Sequence, residues 1–472
     1  MTINFYQIFQ MIKINKYNKW RRILTVVKGK IGNFFESYYE LSKYGTDIKT
    51  ELMAGLTTFL TMSYVLAVIP GFLQSAGIPS KGLYTSVCLI AIIGTLAHAF
   101  FSKLPVATAP GLGLTAFFVS TVIGRMGYTW QQGLAAVTIS GLVFLCISLT
   151  SIREIIIRSL PDNIKIAITG GIGLFIAIIG FRNTGIVIST EHGMFFGNLK
   201  NPAVLLSIFG LLLMLTLMSK GLKTALILSI LITTIVGIPL GVTNLNDWRG
   251  FGLPHGISET FFKQDFAGLI GNKGLLSGFL NILMIILTIS LVDLFDNIGT
   301  LLAIAEKGGL YNEKGEVRNM KKALVCDSVS TTLSSFLGTT TTSTYLESTA
   351  GIASGGRTGL TALSTAVLFG MAFFLSGIVC VIPGAATAPV LIVVGALMLG
   401  SVTRIDFNDL TEGAPAFFTI TMMPFTTSIA EGIAAGIISY VVLKLATGRY
   451  KEIKPVMYIL AVLFIIRLYI NM

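Results

Sequence analysis

Leu291–Thr300 reads LVDLFDNIGT, and it sets two carboxylates inside an otherwise apolar, helix-forming run. Asp293, Asp296, Asn297 and Thr300 fall at i, i+3, i+4 and i+7, which is one face of an α-helix. Leu291, Val292, Leu294, Phe295 and Ile298 cover the rest. An Asp at the centre of a bilayer costs about 2.5–3.5 kcal/mol even on the lenient insertion scale. Two on one face require a partner, a cavity or a purpose, so the stretch predicts a polar pathway through a membrane protein.

Composition agrees with that class. Over 472 residues, 53% are hydrophobic and only 12% charged, with a mean hydropathy of +0.80, which excludes an ordinary soluble globule. The apolar runs have roughly the 20-residue length of membrane-spanning helices, not the short alternation of a β-barrel. The net charge of +12 follows the positive-inside pattern. Lys13 to Lys49 precede the first span, Arg153, Arg158, Lys307, Arg318, Lys321 and Lys322 mark later loops, and Arg449, Lys451 and Lys454 precede the last. These place the N-terminus and those loops in the cytoplasm. The 31 Phe lie in the apolar runs, not among basic residues, so no nucleic-acid partner is expected. Cys88, Cys146, Cys326 and Cys380 lack ligand spacing, and His98, His192 and His255 form no metal cluster, so neither a cofactor nor a metal is predicted.

The apolar pattern predicts spans near 50–74, 81–101, 106–124, 131–150, 163–181, 202–218 and 222–243. A second set lies near 277–304, 321–338, 341–354, 358–380, 386–401, 408–446 (broken around Pro424) and 455–471. That makes about fourteen, with both termini cytoplasmic. The polar stretch 244–273, with Trp248, His255 and Glu259, follows an odd span and is expected outside. The third segment of each set is irregular. Leu104–Phe118, LPVATAPGLGLTAFF, carries Pro105, Pro110, Gly111 and Gly113. Gly338–Gly356, GTTTTSTYLESTAGIASGG, carries a β-branched Thr run. In the latter, Thr344 and Glu347 have capping-box spacing, which predicts a helix starting near Thr344. Extended backbone at membrane depth is tolerated where it lines a cavity, and interrupted segments at matching places in two halves point to a transporter's central site.

Glu347, Asp293 and Asp296 are functional candidates because an intramembrane carboxylate is functional by default. For Glu347 the competing reading is the capping box, and for Asp296 a buried hydrogen bond to the Thr-rich turn. Asn297, Thr300 and Thr344 read as supports of the site, and Gly111, Gly113, Gly351 and Gly355 as points of close helix approach. Thr115 either lines the site or caps a half-helix. Phe117 and Tyr345 read as packing before stacking, His98 as a satisfied packing histidine before a proton relay, and Arg357 as a cytoplasmic-side anchor.

Ordered segments across the chain resemble one family. They include TELMAGLTTFLTMSYVLAVIP at 50–70, APGLGLTAFF at 109–118, VDLFDNIGTL at 292–301, STYLESTAGIASGGRTGLTAL at 343–363 and MMPFTTSIAEGIAAGIISY at 422–440. They are similar to the AzgA-like purine permeases, a branch of the nucleobase transporters with the uracil-permease fold. The resemblance implies an all-α polytopic membrane protein, a seven-plus-seven inverted repeat whose third and tenth segments are broken by short extended stretches. It implies a basic cytoplasmic segment at 1–48, a core domain at 49–152 and 276–380, a gate domain at 153–245 and 381–472, and an extracellular loop at 246–275. Proton symport of adenine, guanine and hypoxanthine across the inner membrane is the implied activity, with the core moving against the gate and a homodimer formed through the gates. Asp293 and Glu347 look like the family's base-binding carboxylates, and Asp296 like its second acidic residue, closer to transport. Thr115 and Ile69 stand where the family commonly has Asn. On this reading Thr115 contacts the base, and Thr115→Asn should shift purine preference.

The alternatives are a carrier of xanthine or uracil, sodium in place of the proton, and an anion carrier of the same fold. The last is disfavoured because three carboxylates would repel an anion. An intramembrane aspartyl protease needs two Asp on facing helices, whereas Asp293 and Asp296 share one helix. No enzyme activity is predicted.

Overall fold

The computed structural model describes residues 32–80, 82–150, 160–190, 193–245, 250, 252, 256–271, 275–313, 316–379 and 381–470. Most of the predicted N-terminal segment, Arg153, Arg158, and Trp248 and His255 of the polar loop lie outside them. The helices in chain order are α1 (Ile48–Met62), α2 (Val65–Ser75), α3 (Leu83–Ala97), α4 (Leu112–Phe117), α5 (Trp130–Leu149), α6 (Asp162–Asn183), α7 (Pro202–Ser219), α8 (Ala225–Gly237) and α9 (Phe266–Gly271). They continue as α10 (Leu275–Gly308), α11 (Met320–Leu337), α12 (Ser348–Ala353), α13 (Gly359–Ala372), α14 (Ser376–Val379), α15 (Gly384–Leu399), α16 (Leu410–Thr426), α17 (Ile429–Ala446) and α18 (Pro455–Ile470). Among the described residues, eight helical segments are long and apolar enough to cross a membrane, from Ile48–Ser75 to Ile429–Ala446. The chain is a multi-pass membrane protein.

Polar residues mark where these helices begin. Asp47 accepts from the Thr50 amide to start α1, and Thr129 and Gln132 form a reciprocal capping box on α5. The two irregular segments meet each other. Strand β1 (Thr108–Pro110) pairs antiparallel with β4 (Thr342–Thr344), Thr108 opposite Thr344 and Pro110 opposite Thr342. The Gly111 amide donates to the Thr341 carbonyl at 2.9 Å, and the Tyr345 amide to that of Ala107 at 2.9 Å. Extended backbone is thereby satisfied away from water, as membrane depth requires. The α11 helix stops before this crossing at Gly338, whose φ of +88° an L-residue rarely adopts. A methyl group there would lie 2.9 Å from the Thr260 carbonyl. A second strand pair, β2 (Val187–Thr190) with β3 (Gly193–Phe196), is largely exposed and was not expected from the sequence.

The helices pack in two groups. In one, α13 lies on α1 and α3, α11 on α5 and α3, and α12 on α1. In the other, α6 lies on α15 and α16, α16 on α17, and α7 on α8 and α15. The stretch 408–446, expected as one broken span, is instead a helical hairpin. Its helices of 17 and 18 residues are each about 25 Å long, and they turn at Thr427 (φ +52°). Buried Lys444, at the end of one, lies 2.8 Å from Glu412 at the start of the other. Beside them Arg449 contacts Asp409 at 2.6 Å and holds that carboxyl below its usual range. The hairpin therefore puts two helices where the sequence pattern predicted one broken span. Pro424 misled the reading because it sits in the last turn of α16, where it precedes a reversal of the chain and not a kink.

Candidate functional site

A cavity of about 550 Å³ lies between the two helix groups. One wall carries Tyr64, Gly113, Asp296, Thr300, Ser343 and Glu347, and the other Ile172, Leu226, Val394 and Met398. Its size, and a lining that sets polar side chains of one wall against apolar ones of the other, suit a small organic molecule.

Glu347 is half-buried and reaches this space. It immediately precedes α12, yet its side chain makes no capping bond to that helix. Its Oε1 instead accepts the Tyr64 hydroxyl at 2.5 Å. The capping box predicted from Thr344 and Glu347 does not form. Thr344 belongs to β4, and its hydroxyl donates to Asp327 at 3.0 Å, so helix begins only at Ser348.

The carboxylates of α10 part company. Asp296 is half-buried, lines the cavity and bonds Ser343. Asp293 is fully buried and off the cavity wall. Its Oδ1 accepts from Asn297 Nδ2 at 2.8 Å and its Oδ2 from the Thr331 hydroxyl at 3.2 Å. The residue that the resemblance assigned to base contact is therefore behind the wall, and the one assigned to transport is on it. Asn297 also accepts the Thr344 amide at 2.8 Å, which ties α10 to β4, while Thr300 faces the cavity.

Thr115 is fully buried and lies off the cavity wall. Its hydroxyl lies 2.7 Å from both the Gly111 carbonyl and the Thr340 hydroxyl. We expect Thr115→Asn to crowd this contact, costing about 1–3 kcal/mol, without changing which bases compete. A melting curve and a competition profile check this, and an altered profile would return Thr115 to the site. Gly111 and Gly113 are required by proximity. A methyl at Gly111 would lie 2.7 Å from Ser343 Oγ, and one at Gly113 would lie 2.7 Å from Ile172. Tyr345 lines the cavity with its hydroxyl bonded to the Pro110 carbonyl at 2.5 Å, whereas Phe117 is buried packing.

Three residues of consequence escaped the sequence reading. Asp327 of VCDSVS is fully buried beneath the strand crossing. It accepts from Thr344 and, at 3.3 Å, from the Thr108 hydroxyl, one residue from each strand, and lies 3.1 Å from His98 Nε2. The rule that singled out Asp293 applied to it equally. Glu51 is also fully buried and gathers the amides of Arg357, Thr358 and Thr361 at 2.8–3.2 Å, fastening α1 to the start of α13. Tyr64 carried no pattern that would mark it. Arg357 bonds the Ile352 and Gly356 carbonyls, both at 2.7 Å. Among the described residues no group of three His, Cys, Asp or Glu could hold a metal.

The sequence pattern of one family, described as Permease family (Xan_ur_permease), matches residues 49–435. The adenine permease AdeQ of Escherichia coli (strain K12) is 40% identical over 91% of this chain and 95% of its own. The guanine/hypoxanthine permease PbuO of Bacillus subtilis (strain 168) is 39% identical over 92% of this chain and 100% of its own. Among solved structures, the transmembrane domain of the cyanobacterial bicarbonate transporter BicA superposes with a TM-score of 0.61 at 18% identity. That match covers 82% of this chain and 97% of that one, and it is a likeness of fold.

Proposed function

The chain belongs to this permease family, a family of transporters and not enzymes, and we propose that it imports purine nucleobases (adenine, guanine or hypoxanthine) by proton symport. The observation that carries this reading is the pair Glu347 and Asp296 on the wall of a cavity between two helix groups. A neutral purine offers ring N–H and amino donors, which carboxylate oxygens complement. The apolar wall of Ile172, Leu226, Val394 and Met398 covers a planar face. Those same carboxylates would repel an anion, so the likeness of fold to a bicarbonate carrier does not extend to cargo.

In this reading the group built on α1, α3, α5 and α10–α13 is the core that holds the base. The group built on α6–α8 and α15–α17 is the gate it moves against. Lys223 and Arg404, both exposed, stand at the rim of the cavity. By the positive-inside rule that rim faces the cytoplasm of a cell whose inner membrane holds the protein. A carboxyl that is loaded with a proton outside and emptied inside couples uptake to the gradient. One charge moving through 100 mV supplies about 2.3 kcal/mol, roughly fifty-fold accumulation.

The test is uptake of radiolabelled adenine, guanine, hypoxanthine, xanthine and uracil into proteoliposomes, with and without an inward proton gradient. Gradient-driven purine uptake without uracil uptake is expected. Purine uptake that follows sodium would overturn the coupling, and uracil as the preferred solute would overturn the substrate class.

A further inference from the structure

We infer that Tyr64 is a positioning residue of the site, which aims the Glu347 carboxylate at the base. This rests on the reading of Glu347 as a base-binding group. Tyr64 sits in the break between α1 and α2, is fully buried, and lines the cavity with Glu347. Its hydroxyl donates its one proton to Oε1 at 2.5 Å, which fixes how the carboxylate is turned within the cavity wall.

The rest of α1 makes the aim firm. The Thr61 hydroxyl reaches the backbone carbonyl of Glu347 at 3.5 Å. Further along, α12 approaches α1 so closely that a methyl at Gly351 would lie 2.7 Å from the Ala54 carbonyl. Residue 347 is thus held at its backbone by α1 and at its side chain by Tyr64 just beyond it. A carboxylate on two or three free torsions spends rotamer entropy when it binds, and one already held in place does not. Asp296 and Tyr345 are the other ionisable groups on this wall. Asp296 is bonded to Ser343 and Tyr345 to the Pro110 carbonyl, so neither replaces Tyr64 as the donor.

Tyr64→Phe removes the hydroxyl and keeps the ring. In proteoliposomes its KM for the transported purine should rise about tenfold, with Vmax within twofold of the unaltered protein. Tyr84→Phe, which loses a short bond from its buried hydroxyl to the Ala372 carbonyl away from the cavity, should leave KM in place. Coupling to Glu347 is read by a double-mutant cycle with Glu347→Asp, whose carboxylate is drawn back by one methylene. Tyr64→Phe should add less than twofold to the KM of that variant. An unchanged KM in Tyr64→Phe, a loss confined to Vmax, or full additivity in the cycle overturns the proposal.

If Tyr64→Phe yields no folded protein, Glu347→Asp alone serves as the second variant. It should raise KM with Vmax kept, and a KM at the unaltered value overturns the proposal. An unaltered protein that takes up no purine sinks the proposed function itself. That outcome is distinct from normal purine uptake insensitive to Tyr64.

Discussion

Glu347→Gln is expected to reduce concentrative purine uptake to the level of empty vesicles while the protein still inserts and melts normally. The amide has almost the shape of the carboxylate, and Tyr64 can still donate to its oxygen. The other position, however, becomes an NH₂ group. Where the ionised side chain offers a carboxylate oxygen to a purine N–H, the variant offers a donor to a donor. A hydrogen bond to a charged acceptor is worth about 1.5–3 kcal/mol, or about ten- to a hundredfold in affinity. The amide also cannot take up and release a proton, so accumulation fails even where some binding remains. Uptake against a gradient is the decisive readout, and wild-type accumulation in this variant would remove Glu347 from both roles. Stability should change little because Glu347 is only half-buried and caps no helix.

Asp327→Ala is expected to have the opposite profile, a loss of the fold before any loss specific to transport. Asp327 is the shared acceptor for the hydroxyls of Thr108 and Thr344, one from each paired strand, and the partner of buried His98. Removing it leaves those buried groups without their shared partner. A buried polar group left without its partner costs about 1–3 kcal/mol, and several lose theirs at once. Thermal unfolding in detergent measures the cost. Asp327→Asn keeps an acceptor and should lie between the two. A melting temperature for Asp327→Ala equal to the unaltered protein's would mean that the strand crossing is held by its backbone bonds alone.

These two residues mark how far the sequence could be read. Glu347 was legible because a carboxylate beside a Thr-rich, helix-breaking run in an apolar chain has few ordinary explanations. Asp327 obeys the same rule, but Ser and Cys neighbours blurred the apolar background that made the others stand out. Tyr64 was not legible, since an aromatic residue in an apolar run is usually packing. Its partner lies 283 residues away, and no local spacing reports that. Thr344 with Glu347 shows the reverse error. A capping-box spacing was present, but pairing with β1 claimed Thr344 for a strand, and the tertiary bond to Asp327 claimed its hydroxyl.

The sequence by itself determined the solvent of this protein, the interrupted third segments and the carboxylate-bearing face of α10, because hydropathy, Pro, Gly and helical period act locally. It also carried the family, through many short motifs in order. What only the tertiary structure decided is which carboxylate meets the cavity. Asp293 and Asp296 are three residues apart, about 60° around the helix. A period of 3.6 places both on one face without saying what that face meets. Strand β4 and helix α11 close over Asp293, through Thr331 and Asn297, and leave Asp296 at the wall. Direction on a helix is a local property, whereas exposure depends on neighbours contributed by distant parts of the chain.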